Sequence, residues 1–150
     1  MPPIDFTQAH ADLGLLMPQP QATAFIGKAL PRLIPDDLGG VQGIRLFFWK
    51  RPSFTRPLLR LPMEQLVCYA ALLRSPPSDA EALARTLAAN RMLYELNRDG
   101  GGTLYPFAAV ELTREDWRRH YGRQWHAIEQ AKRRYDPDAV FASGSNLYFT

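Results

Sequence analysis

Three histidines, one cysteine and a few serines are the residues of this 150-residue chain from which nucleophilic or metal chemistry would have to be built. His10 stands far from the other two histidines, and His120 and His126 are six residues apart. Neither the i, i+4 pair of a helical zinc site nor an HExxH motif is therefore present. Cys68 is the single cysteine, so no disulfide can close within the chain and no Cys-rich zinc site can form. Its setting, Leu66-Val67-Cys68-Tyr69-Ala70, is that of a small buried hydrophobe and not of a nucleophile. Ser75, Ser78, Ser143 and Ser145 lack the GxSxG turn that exposes a nucleophilic serine, and residues 123–134 offer no paired carboxylates. The run Gly100-Gly101-Gly102 would cradle a phosphate if it led into a helix and a Lys-Ser/Thr pair; here it leaves a helix and reads as a terminator. No catalytic residue and no metal ligand is predicted from spacing.

The elements that would carry a site are legible in outline. Asp12 to Met17 is an apolar run closed by Pro18 and Pro20, which predicts a buried strand. Ala22 to Leu30 places Ala22, Phe25, Ile26 and Ala29 at helical spacing, with Pro31 at the exit. Gly43 to Trp49, rich in aromatic and branched residues, predicts a mostly buried strand, and Gln65 to Leu73 a second that pairs with it antiparallel. Between them, three prolines over residues 50–62 predict a loop with a short extended piece at Leu58-Leu59.

Ser78-Asp79-Ala80-Glu81 fits a capping box with Ser78 as the cap, opening a helix to about Asn97 whose apolar stripe is Ala80, Leu83, Ala84, Leu87 and Tyr94. Thr103 to Tyr105 follows as a short strand stopped by Pro106. Thr113 caps the last helical region, with Leu112 and Trp117 as a hydrophobic staple and Trp117, Tyr121, Trp125 and Ile128 as one buried stripe. That spacing suits a packed face better than a base-stacking platform. Gly122 within the stripe predicts a break into two helices, and Asp136-Pro137 ends the second. His120 and His126, beside arginines, read as surface groups. The architecture predicted is α+β: one domain over residues 10–150 after a loose lead-in at 1–9, with an antiparallel sheet of about four strands and helices on one face.

Composition limits partners. The chain is 46% hydrophobic and 22% charged, enough to bury a core. Its net charge of +3 is spread thinly: residues 111–134 hold seven Arg/Lys against four Asp/Glu, with no dense one-sign stripe for tracking phosphates. Nucleic acid is not an expected partner. No apolar run reaches the length of a spanning helix and no signal peptide is evident, so membrane association is not expected and a soluble, cytoplasmic protein is.

One ordered series stands out in the last third: Trp117-Arg118-Arg119-His120-Tyr121-Gly122, then Trp125, Lys132, Tyr135-Asp136-Pro137 and Gly144. It resembles the closing signature of FAD-linked oxidoreductases of the cytokinin dehydrogenase type, within the vanillyl-alcohol oxidase group. In that family the elements read Trp-x-x-His-Phe-Gly, Trp, Lys, aromatic-Asp-Pro and Pro-Gly-Gln-x-Ile-Phe. Weaker similarity runs back through Leu104-Tyr105-Pro106, the Ser78 helix and Phe47-Phe48-Trp49 to His10.

The resemblance implies the C-terminal, substrate-binding part of such an enzyme, which covers the flavin ring while a separate N-terminal domain holds FAD. The implied reaction is oxidation of a secondary amine by hydride transfer to FAD. By position, Gly144 and Ser145 would face the cofactor, with Ser145 standing where the family has glutamine. Tyr105 and Trp49 would line the substrate side. The implied partners are an FAD-binding domain or subunit supplied separately and a small amine. The chain then reads as a gene fragment, one subunit of a split enzyme or an excised piece, inactive alone. The alternative is a non-catalytic interaction module derived from such an oxidase.

Overall fold

The computed structural model describes residues 9–33, 43–138 and 140. Most of the lead-in, with Gly144 and Ser145, lies outside the described residues. Among the described residues four strands form one antiparallel sheet: β1 (Leu13–Pro18), β2 (Gly43–Lys50), β3 (Leu66–Leu73) and β4 (Thr103–Leu104), in the order β2-β3-β1-β4. Four α-helices among the same residues accompany it: α1 (Gln19–Ala29), α2 (Ala80–Asp99), α3 (Arg114–Tyr121) and α4 (Trp125–Tyr135). The α+β architecture predicted from sequence is the one observed.

Strand alternation sorts the sheet into two faces. Leu13, Leu15, Met17, Cys68, Ala70 and Leu72 point to the helix side and enter the core cluster with Phe25 of α1, Leu93 of α2 and Trp117 of α3. Cys68 is fully buried there, as its setting predicted. β1 is central and every one of its residues is buried.

β2 departs from expectation. It was predicted mostly buried, yet Ile44, Leu46 and Phe48 are exposed on the helix side, because β2 is an edge strand that α1 does not reach across, and Phe47 is exposed on the opposite face. α1 begins three residues earlier than predicted, at Gln19, since a proline in the first turn removes only an amide that has no helical acceptor. Residues 51–53 form a single 3-10 turn, and no strand forms at Leu58-Leu59.

In α2 the cap is Asp79 and not Ser78: the Asp79 carboxylate accepts from the Ala82 amide at 2.7 Å. The buried face is also shifted, to Ala82, Thr86, Asn90, Leu93, Tyr94 and Asn97. Polar residues occupy it for a reason visible in their bonds. The Asn90 amide donates to Ala11 O at 2.9 Å and Ala109 O at 3.0 Å, while its oxygen accepts from the buried Arg74 guanidinium at 2.7 Å. The Asn97 amide donates to Leu16 O at 3.3 Å and Thr103 O at 3.0 Å. Each asparagine thus ties β1 or its lead-in to the chain that follows α2, and an apolar residue at either position would remove two hydrogen bonds made by a buried side chain.

Thr113 and Asp116 form the capping box predicted at the start of α3, each side chain meeting the other's backbone amide. Trp117, Tyr121, Trp125 and Ile128 are all buried, and Gly122, at φ 53°, turns the chain through a 3-10 turn into α4. His126 is exposed, but His120 corrects the surface reading: it is buried edge-on against the rings of Trp117 and Tyr121. The loop before β3 is fastened to this break, Arg60 donating to His120 O at 3.1 Å and to the Gln124 side chain at 3.3 Å.

These buried groups make stability depend on pH in two separate windows. Burial first, then the positive charge of Arg60, lowers His120 from 6.5 to about 4. Between those values only the unfolded chain takes up the proton, so the fold loses about 3 kcal/mol as pH falls through them. Asp116 behaves oppositely. Burial opposes its ionisation, but the Arg91 hydrogen bonds at 2.7 and 3.2 Å and the Thr113 amide and hydroxyl outweigh it. Its carboxyl is held down from 3.8 to about 2, and the resulting stabilisation, about 2 kcal/mol, is present above pH 3.8 and lost as pH falls towards 2. Urea unfolding across pH should therefore show a His120→Phe variant flattened only in the upper window and Asp116→Asn only in the lower. A profile unchanged by either substitution contradicts the assignment.

Candidate functional site on the outer face of the sheet

The sheet face away from the helix core carries Phe47 and Trp49 of β2, Tyr69 of β3, and Tyr105, the residue after β4. Register sets this alignment: Phe47 pairs with Tyr69 and Tyr69 with Leu16, which in turn faces Thr103. Trp49 stacks on Tyr69 with ring centroids 4.9 Å apart and planes 16° from parallel. Tyr69 meets Tyr105 at 5.3 Å with a 53° tilt, and Phe47 stacks beside Tyr69 at 6.1 Å. Phe54, from the loop after β2, closes on Trp49 at 5.4 Å.

Sequence reasoning singled out Tyr105 and Trp49, and the structure brings them onto one face, each in contact with a residue it overlooked. Tyr69 joins them. Its signal was present in the alternation of β3, where Tyr69 is the polar-tipped ring between Val67 and Ala71 on the face opposite Cys68. Gly144 and Ser145, the cofactor-side residues expected from sequence, fall outside the described residues.

Gly14 of β1 permits the contact across the sheet. A methyl group at its Cα would meet Tyr105 Cβ at 3.1 Å, Phe107 O at 3.2 Å and Tyr69 Cε2 at 3.2 Å. With no side chain there, the rings of Tyr69 and Tyr105 close over β1, and Tyr105 N donates to Gly14 O at 3.0 Å. Desolvation, then the proximity of Tyr105 and of Asp12, raises the Tyr69 hydroxyl above its ordinary range. At neutral pH it is therefore a protonated phenol, able to donate or accept a hydrogen bond. Chemically the face offers stacked, electron-rich rings with phenol tips, suited to a flat heteroaromatic ligand.

The remaining candidates lie elsewhere. Among the described residues no group of three His, Cys, Asp or Glu side chains converges as a metal site, and no helix is long and apolar enough to cross a membrane. A concavity of about 370 Å³ lies on the helix side between α1 and the end of α2, lined by Met17, Phe25, Lys28, Leu96 and Asp99 among others. Gly100 to Gly102 close α2: Gly102 N donates to Asn97 O at 2.8 Å, and the Asn97 side chain occupies the space beside Gly102.

A Gly14→Ala substitution tests this construction of the face. It should displace Tyr69 and Tyr105, lowering the Tyr69 pKa towards the free value in a spectrophotometric titration and costing about 1–3 kcal/mol of stability. An unchanged titration would show that the rings do not depend on the glycine.

Comparison with known proteins places the chain in a lineage. Residues 6–148 match the family described as "Cytokinin dehydrogenase 1, FAD and cytokinin binding". An uncharacterized oxidoreductase, ORF5 of the fasciation locus of Rhodococcoides fascians, is 36% identical over 140 residues, covering 93% of this chain and 31% of that protein. Cytokinin dehydrogenase 9 of Oryza sativa subsp. japonica is 23% identical over 140 residues, and cytokinin dehydrogenase 1 of Arabidopsis thaliana 21% over 145. Each comparison covers 93% of this chain but only 26% and 24% of those enzymes, so the chain spans about a quarter to a third of the length of the relatives it matches. With nearly the whole chain inside the match, it belongs to the cytokinin dehydrogenase FAD- and cytokinin-binding family.

Proposed function

We propose that this domain forms the substrate-side wall of an FAD-dependent amine oxidase, holding a cytokinin-like ligand against the flavin. The observation that carries the reading is the half-buried ring series Trp49, Tyr69 and Tyr105 on one sheet face. An adenine-type ring system stacks on such a face, and the Tyr69 and Tyr105 hydroxyls offer its nitrogens hydrogen-bond partners.

The fit to FAD is divided. A flat aromatic face suits cover over a planar ring system. The diphosphate finds no equivalent cradle among the described residues, because the one glycine cluster ends α2 instead of opening a helix, and its space is filled by Asn97. In the proposed assembly the diphosphate is therefore held by an FAD-binding domain or subunit, with Gly144 and Ser145 approaching the flavin edge. The flavin supplies the redox chemistry when bound; this chain orients the amine and excludes water. Alone, it binds ligand without turnover.

Trp49 is a half-buried indole within this face, whereas Trp117 and Trp125 are buried, so its fluorescence is the natural reporter. Titration of the purified chain with a cytokinin should quench Trp49 emission, and the quenching should vanish in Trp49→Phe. Tyr105→Ala or Tyr69→Ala should weaken binding about tenfold, as expected for the loss of one stacking ring. Co-expression with an FAD-binding domain of the same family should restore amine oxidation measured with a dye acceptor. No quenching, together with no activity in the reconstituted pair, would reject the reading.

A further inference from the structure

We propose that two copies of this chain pair β2 against β2 across a two-fold axis, merging their sheets into one continuous sheet. The argument starts at the free edge. Arg51 N donates to Gln65 O at 2.8 Å, extending the β2–β3 register by one pair. Antiparallel ladders alternate, so Arg45, Phe47 and Trp49 direct their amides and carbonyls towards β3. Those of Ile44, Leu46, Phe48 and Lys50 point the other way, off the edge of the sheet. Among the described residues no strand pairs there.

This edge carries few of the usual protections. Residues 43–50 contain no proline, their pairing with β3 is unbroken, and their two charges are Arg45, on the outer face, and Lys50, at the last position of the strand. Before Lys50, its helix-side residues are apolar and open, Ile44 at 36%, Leu46 at 40% and Phe48 at 53% exposure. They continue an apolar groove lined by Phe25, Ile26, Leu30 and Leu33. Water is left against both a row of peptide groups and a row of large side chains.

The strand complements itself, which is what selects a second copy as the occupant. With the axis at Phe47, Ile44 faces Lys50 of the second copy and Leu46 faces its Phe48. Every outward-pointing residue then lies opposite another, giving about eight backbone hydrogen bonds. Leu46 packs on Phe48 on the helix side, while on the outer side Arg45 meets the Trp49 indole of the second copy, a cation–π geometry. No like charges face each other. The two outer aromatic faces become continuous through Phe47, so the interface meets the proposed ligand face at Trp49 and leaves Tyr69 and Tyr105 uncovered, and this inference stands independently of the oxidase reading.

Light scattering and sedimentation across a concentration series should show a reversible dimer. Leu46→Lys and Phe48→Lys should each weaken it at least about tenfold while leaving the circular dichroism spectrum unchanged, since both side chains are solvent-exposed in the single chain. Phe47→Cys should cross-link on mild oxidation, because a non-hydrogen-bonded pair on the axis brings its Cα atoms to about 4.5 Å. Leu46→Cys, offset from its mate, should not cross-link, and the fully buried Cys68 contributes no background. A monomer at all concentrations, a dimer indifferent to both lysines, or cross-linking through Leu46→Cys in place of Phe47→Cys would each overturn the proposal. Should a lysine variant misfold, the cysteine pair alone decides.

Discussion

The fold turns on a shortage of strand. β4 is only two residues long, too short to satisfy the edge of the central β1, and the chain beyond it runs beside β1 without continuous pairing. Asn90 and Asn97 on α2 make up the difference, each giving its two amide protons to one carbonyl of β1 or its lead-in and one of the 103–109 segment. Backbone bonds from Tyr105 N to Gly14 O and from Ala109 N to Asp12 O complete the seam. Everything functional on the outer face depends on it, because Tyr105 lies between the two clipped carbonyls. A helix on one side of the sheet thereby determines the position of an aromatic ring on the other.

The same economy links the remaining elements. The loop before β3 is held by Thr103, whose hydroxyl donates to Arg60 O, and by Arg60, whose guanidinium reaches the carbonyl at the end of α3. Arg91 of α2 bonds Asp116 inside the α3 capping box and the carbonyl of Glu111 just before it. Side-chain-to-backbone bonds of this kind replace the long strand ladders that a larger sheet would use, and their buried donors and acceptors have few alternative partners.

How much of this was legible depended on whether the determinant was local. The capping box at Thr113, the Gly122 break and the Trp117–Ile128 stripe were readable because each needs only residues within a few turns of itself. The inner strands were readable from their apolar runs. Burial of β2 was misjudged because composition shows that a strand is apolar, not whether a neighbour exists to cover it. The α2 face was misjudged for a related reason: a stripe search rewards apolar residues, while Thr86, Asn90 and Asn97 are buried to serve carbonyls distant in sequence. Of the site, Trp49 and Tyr105 came through family resemblance; Tyr69, which joins them, required the register of three strands.

Gly102 and Asn97 carry a consequence for inheritance. A Cβ at position 102 would fall on the Asn97 side chain, and that side chain donates to both Leu16 O and Thr103 O. Neither residue can change while the other is retained without either a clash or the loss of both of those hydrogen bonds. The two positions behave as one hereditary character, so their joint identity in any set of related sequences reports whether this seam has been kept or rebuilt.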